Sequence, residues 1–285
     1  MANPTRKYDW LIVGAGPTGA SFARTAAAAG KKVLVVDRRP TIGGLCATNT
    51  VGKIQACLFG PHVFHTRDQA VYDFFSSYCT LLPYVHQVKA LAAGRYYDWP
   101  PNLNTFNQVL GLCTPAEVQA HVSKHGGVGP EVTRLLMDGY SRKMWGHPWA
   151  KVDPSIRARI PMAVDFDTRY FPGQLQGFPA DGYTAAFARM LEGIEVRLRV
   201  DYKDDRGLAR IARRTFYTGR LDELYDFQHG VLPYRSVRFE TKNVTLPYLG
   251  CAVINCPDPS QPWHRLTDHS YFTGAEQAEG PATYE

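Results

Sequence analysis

The chain has 285 residues, a formal net charge of +6, 45% apolar residues and 20% charged ones, enough to bury the core of one large α/β domain or two interleaved ones. No apolar run approaches a membrane span and MANPTRKYDW lacks a signal-peptide core, so a cytoplasmic protein without a membrane partner is expected. The positive charge is spread out, and Arg210, Arg213 and Arg214 in the run Arg206 to Arg220 have no aromatics between them; the run reads as solvated surface, not as a nucleic-acid patch.

The strongest local pattern runs from Tyr8 to Leu45. An apolar run, Trp10 to Val13, leads into Gly14-x-Gly16-x-x-Gly19, then an Ala-rich helical stretch, then Val33 to Val36 ending at Asp37. The spacing predicts strand, glycine turn, helix and strand. Gly14 suits the tight turn, Gly16 lets backbone approach a pyrophosphate, and Gly19 lets helix and strand pack closely. The helix N-terminus offers free N–H groups to phosphates. Asp37, with seventeen residues between it and Gly19, sits where an acid bonds the adenosine ribose hydroxyls. Arg38 and Arg39 would suit a 2′-phosphate and hence NADP, but the Gly43-Gly44 pair is more typical of flavin-binding chains, so FAD is favoured.

Leu45 to Thr66 is rich in turn residues and carries Gly60-Pro61-His62-Val63-Phe64-His65. The two histidines lack a third ligand nearby, and the six cysteines are scattered without a CxxC pair, so no metal site is expected and free thiols are. Gln69 to Cys79 predicts a helix with Val71, Phe74, Phe75 and Tyr78 on a core-facing stripe. Tyr84 to Trp99 reads as two strands around Ala93-Gly94-Arg95. Thr114-Pro115-Ala116-Glu117 starts a helix that Gly126-Gly127 closes, and Pro130 to Trp145 reads as another. From Ile160 the aromatics Phe166, Tyr170, Phe171 and Phe178 suggest antiparallel sheet with a helix from Tyr183 to Glu192. Glu195 to Val200, Arg214 to Tyr217, Leu232 to Glu240 and Gly250 to Asn255 read as strands.

The order predicts an α/β protein: a Rossmann-like FAD-binding domain with a helical insert and an antiparallel-sheet substrate domain. The expected boundaries are 1–88 plus about 184–225 for the FAD-binding domain, 102–150 for the insert, and 89–101, 151–183 and 226–285 for the substrate-facing domain.

The stretches IVGAGPTGA, KKVLVVDRRPTIGG, FGPHVFHT, DGYSRKMWG, RIP followed by DTRYF, QGFPADGYT, YTGRLDELYDF, LPYRSVRFE and AVIN occur together in an order that resembles the bacterial UDP-galactopyranose mutases. The resemblance implies an isomerase of the mutase type, serving cell-surface polysaccharide biosynthesis, that interconverts UDP-galactopyranose and UDP-galactofuranose. It implies FAD active only when reduced, with N5 attack on the anomeric carbon as UDP leaves, so a UDP-sugar and a reductant are the implied partners. It also implies roles for particular residues. Gly60, His62 and Val63 look like the family's loop against the isoalloxazine, with His62 catalytic. Tyr140 would stack on uracil and Trp145 border the sugar in a catalytic position. Asn255 and Arg265 fall in the substrate cleft, Arg265 suiting a diphosphate. Gly14, Gly16, Gly19, Asp37, Arg38, Gly43 and Gly44 complete the cofactor set.

There are departures. The family's Arg-x-Pro-x-Arg reads Arg159-Ile160-Pro161-Met162-Ala163 here, and a family Tyr at the diphosphate falls at Leu175. The insert is shorter between Gly127 and Pro130, which leaves a homodimer only slightly favoured. The chain stops at Ala282-Thr283-Tyr284-Glu285, about where the family has an arginine-containing strand, so it reads as a C-terminally short member. Two further readings stay open: a relative acting on another nucleotide sugar, and a non-catalytic or truncated mutase-like nucleotide-binding protein.

Overall fold

The computed structural model describes residues 6–285. Its first layer is a four-stranded, wholly parallel sheet in the order Glu195–Leu198, Val33–Asp37, Tyr8–Val13, Ala212–Tyr217. The two central strands are apolar runs because both faces are covered: Leu11, Ile12, Leu34, Val35 and Val36 are all fully buried. The helix Pro17–Ala28 packs on one face through Gly19, Ala20 and Ala23, small side chains that let it lie close. A second helix, Gly182–Met190, lies beside it and is held by Arg24, whose guanidinium donates to the Met190 carbonyl at 2.6 Å.

The second layer is a six-stranded sheet in the order Glu240–Thr245, Glu279–Tyr284, Arg265–Asp268, Val253–Asn255, Val88–Ala92, Arg95–Trp99. All its pairs are antiparallel except Val253–Asn255 with Val88–Ala92. The expected hairpin at Ala93-Gly94 is present, and both turn residues have positive φ (48° and 72°), as a two-residue turn matched to strand twist requires. A small three-stranded sheet, Phe64–Thr66, Leu175–Pro179, Leu81–Pro83, stacks Phe178 on Phe272.

The helical insert follows its local signals. Pro115–His125 opens on a capping box in which Thr114 and Glu117 satisfy each other's backbone N–H groups, and it closes at Gly126 in the left-handed conformation. The expected helix from Pro130 to Trp145 is instead Gly129–Val132, a π-helical turn at Thr133–Met137, and Asp138–Trp145. Such a turn adds a residue to the helical circuit and often marks a functional site.

Three other expectations are corrected. Of the expected stripe, Phe75 is buried and Phe74 and Tyr78 pack half-buried against the core, but Val71 is 46% exposed. The aromatic stretch before Leu175 is irregular chain, not antiparallel sheet. Leu232 to Glu240 is not a strand: 228–239 has no regular structure and Leu232, Tyr234 and Val237 are exposed, so their alternation has no core to face. Tyr234 bonds Arg220 at 2.9 Å and Arg235 reaches the Lys143 carbonyl at 3.4 Å.

Candidate functional site

Two neighbouring features make up the candidate site: a glycine cradle at the edge of the parallel sheet and a cavity between the insert and the six-stranded sheet.

The cradle is built by close backbone packing. Gly14 has φ +111°, and a Cβ there would collide with the Thr218 hydroxyl; a Cβ on Gly19 would collide with the Gly14 carbonyl. Thr218 closes the turn by donating its hydroxyl to the Val13 carbonyl at 2.8 Å. The Gly43-Gly44 pair folds back on this turn: the Gly43 N–H donates to the Ala15 carbonyl at 2.9 Å, and a Cβ on Gly44 (φ +57°) would stand 2.8 Å from the Gly16 Cα. The two glycine motifs, separated in sequence, are one structure, open above the N-terminus of a twelve-residue helix. No side chain among the described residues caps that helix, so its first N–H groups are available to an anion.

Asp37 is buried, and one carboxylate oxygen accepts from the Ala15 N–H at 2.7 Å while the other accepts from the Arg39 N–H at 2.8 Å. The acid therefore fastens the glycine turn to the end of its strand, with acceptor capacity left on both oxygens. Arg38 turns instead toward Glu223 at 3.3 Å and is half exposed.

From the cradle, the segment Gly60 to Val63 leads to the cavity. Gly60 (φ +84°) passes beside Phe239 and Glu285, Pro61 lines the cavity, and Val63 packs on the main core. The His62 Nε2 is buried without a partner among the described residues. Burial lowers the His62 pKa, its bond to the Leu45 backbone opposes this, and the Arg265 charge adds to the lowering, so His62 is neutral near pH 7. The other histidine, His65, stacks on Phe171 at 3.7 Å and bonds Gln174.

The cavity has a volume of about 280 Å³, at the small end for ligand sites. Tyr140, Asn255 and Arg265 all line it, and so do Arg159, Trp149 and Tyr170. Asn255 and Arg265 are directly paired across two antiparallel strands, and the Arg265 Nη2 donates to the Tyr140 hydroxyl at 2.6 Å. Its Nη1 faces Glu285 at 3.4 Å, and its Nε has no partner among the described residues. Burial presses against the charged form of Arg265, but Tyr140 and Glu285 outweigh it and raise the pKa above the ordinary arginine value. Burial raises the pKa of Tyr140 and of Glu285. The guanidinium is a charged donor with one N–H direction unused, suited to a phosphate oxygen.

Trp145 is not among the lining residues; it stands 39% exposed at the end of its helix, and Trp149, further along the chain, lines the cavity instead. The departures at Ala163 and Leu175 also lie off the lining. Sequence reasoning missed His86, Trp99, Trp149 and Phe171 as lining residues, and treated Arg159 only as half of an incomplete motif and Tyr170 as a sheet aromatic. The motif DGYSRKMWG is packed at several positions: a Cβ on Gly139 would collide with the Pro257 carbonyl, Asp138 accepts from the Trp149 N–H at 2.9 Å, and the Ser141 hydroxyl donates to the His147 carbonyl at 2.9 Å. It docks a helix against a loop and presents Tyr140.

A family model described as UDP-galactopyranose mutase matches residues 135–285, and one described as an NAD(P)-binding Rossmann-like domain matches residues 12–78. The chain is 33% identical over 298 residues to a probable UDP-galactopyranose mutase of Klebsiella pneumoniae, covering 96% of this chain and 77% of that protein. It is 32% identical over 301 residues to a dTDP-fucopyranose mutase of Escherichia coli, covering 96% and 80%. The crystal structure of a reduced UDP-galactopyranose mutase superposes with a TM-score of 0.62 at 14% identity, covering 97% of this chain and 74% of that one, which is a likeness of fold.

Proposed function

The chain belongs to the UDP-galactopyranose mutase family, and we propose that it interconverts the pyranose and furanose forms of a nucleoside-diphosphate sugar, UDP-galactose first, with reduced FAD. One observation carries this reading: a guanidinium, a phenol and an amide converge on one cavity whose wall, Pro61, immediately precedes the buried, unpartnered His62 Nε2.

The residues present fit the cofactor. Gly14, Gly16, Gly19 and Gly44 leave a cradle that side chains would fill, the uncapped helix N-terminus suits the pyrophosphate, and Asp37 keeps acceptor capacity for a ribose hydroxyl. Gly43 and Gly60 allow close backbone passage, and Val63 anchors the loop that carries His62. Arg38, held by Glu223 at the surface, plays no part in this reading. Reduced flavin, when bound, supplies the nucleophile that the protein lacks.

The chain's own residues bind and orient. Arg265 holds the diphosphate, with Arg159 as a second cation on the lining, and this interaction strengthens as charge builds on the departing phosphate. Tyr140, fixed by Arg265, and Trp149 offer aromatic faces to the base and the sugar. Asn255, buried and opposite Arg265, supplies an amide for a sugar or phosphate oxygen. His62, neutral because buried, can donate or accept one hydrogen bond toward the cofactor without adding charge. Trp145 lies too far round its helix to line the cavity and takes no part in this reading. No net redox change occurs, so a reductant is needed only to keep the cofactor reduced.

The test is chromatographic assay of UDP-galactopyranose with FAD-loaded protein under dithionite; ring-contracted product is expected, and its absence from protein that holds flavin would contradict the reading. A second substrate is favoured by one finding, the near-equal likeness to the Escherichia coli dTDP-fucopyranose mutase. The same assay with dTDP-fucopyranose decides between them.

A further inference from the structure

We infer that Lys143 is a positioning residue for this site: its ammonium group sets Tyr140 against Arg265 and Asn255. The inference rests on the mutase reading for its substrate but not for its geometry.

The Lys143 Nζ donates to three main-chain carbonyls, Cys256 at 2.7 Å, Asp258 at 2.6 Å and Trp263 at 2.9 Å. An ammonium group has three N–H donors and no acceptor, so every proton is used. All three carbonyls belong to the loop joining strand Val253–Asn255 to strand Arg265–Asp268. Cys256 follows Asn255 directly, and Trp263 stands two residues before Arg265. The loop is thus folded around the cation at both of its ends.

The loop needs such a donor. Its sequence, Cys256-Pro257-Asp258-Pro259-Ser260-Gln261-Pro262-Trp263, contains three prolines, none of which has an N–H. A loop short of donors leaves carbonyls unpaired, and Lys143 supplies what the loop cannot. Lys143 and Tyr140 are three residues apart on one helix and so share a face. Gly139 lets that helix approach the Pro257 carbonyl. The same rigid turn of helix therefore grips the loop through Lys143 and meets Arg265 through Tyr140. The packing also explains the residue type: the three acceptors surround one point, which suits a compact ammonium and not a planar guanidinium.

The experiment compares wild type with K143M and K143R, in crystals without substrate and by calorimetric titration with UDP. In K143M the 2.6 Å contact between Tyr140 and Arg265 is expected to open beyond hydrogen-bond distance and the loop 256–263 to take a new path. UDP affinity is expected to fall at least tenfold, with K143R between K143M and wild type and with KM rising more than kcat falls. Since Lys143 acts through Tyr140, the double variant K143M/Y140F is expected to bind UDP no more weakly than K143M. A retained contact and loop path in K143M, unchanged UDP affinity, or fully additive losses in the double variant would each overturn the inference. K143R keeps the charge, and carries the same tests if K143M fails to fold. Wild type that binds no UDP while Tyr140 and Arg265 part in K143M would sink the mutase reading and leave the positioning role standing; wild type that binds UDP alongside an indifferent K143M would do the reverse.

Discussion

Asn255 and Arg265 are partners in adjacent antiparallel strands, and through Arg265 the sheet reaches Tyr140 on the helical insert at 2.6 Å. A buried amide, a guanidinium and a phenol from three elements thereby face one cavity. The arrangement gives the central guanidinium a fixed direction before any ligand arrives, which is what orientation of a reacting group requires.

Replacing Arg265 by Lys keeps a charge but loses the planar fork that reaches both Tyr140 and Glu285. UDP affinity is expected to fall by one to two orders of magnitude, about 1.5–3 kcal/mol for a hydrogen bond to a charged group, while Tyr140→Phe costs less. Titration calorimetry reads both, and equal affinity in Arg265→Lys would remove the diphosphate assignment.

Gly44→Ala places a methyl group at a left-handed position, 2.8 Å from the Gly16 Cα. The conformation alone costs roughly 1–2 kcal/mol, and the clash pushes the double-glycine loop off the turn. The variant is expected to fold but retain less flavin per chain by absorbance. Full flavin content would show that the cradle is not where the cofactor binds.

Asp37→Asn keeps the shape but leaves one of the two backbone N–H groups, Ala15 or Arg39, facing an amide that donates instead of accepting. A loss of about 1–3 kcal/mol in unfolding free energy is expected, together with weaker flavin retention. Denaturant unfolding reads the first; an unchanged midpoint would mean that the carboxylate does not fasten the turn.

Acid should weaken the fold through His86 and His269. Burial holds each at about 4, whereas the unfolded chain takes up those protons near 6.5. Between these values the unfolded state binds more protons, so stability rises with pH across the window; it is fully present above about 6.5 and is lost as pH falls toward 4. For the fully buried His269, whose Nδ1 accepts from the Cys57 N–H and whose Nε2 bonds Thr283, the loss reaches roughly 3 kcal/mol. A melting temperature that stays flat from pH 7 to pH 4.5 would contradict this.

The parts of the fold legible in the sequence are those with local causes. The glycine turn, the capping box at Thr114 and the Ala93-Gly94 hairpin each need particular residue types at fixed spacing, and each is present. The partnership of Tyr140, Asn255 and Arg265 was readable only by resemblance, because three separate elements bring them together. The π-helical turn at Thr133–Met137 has no composition signal, so a straight helix is the natural reading of that stretch. Trp145 stands five residues, about 140° of helix, beyond Tyr140 and so points away from the cavity, while Trp149, past the turn at Gly146, lines it. Leu232 to Glu240 failed for the opposite reason: its alternation is real, but pairing decides a strand, and the chain before Glu240 has no neighbour to pair with. Lys143 was invisible because its role depends on the shortage of N–H donors in a loop more than a hundred residues away.

The most direct test of the account is the product formed from UDP-galactopyranose by FAD-loaded protein, oxidised and dithionite-reduced in parallel. UDP-galactofuranose is expected from the reduced sample alone, with the yield collapsing in Arg265→Lys. Product formed equally by the oxidised sample, or none from a reduced sample that holds flavin, would contradict it.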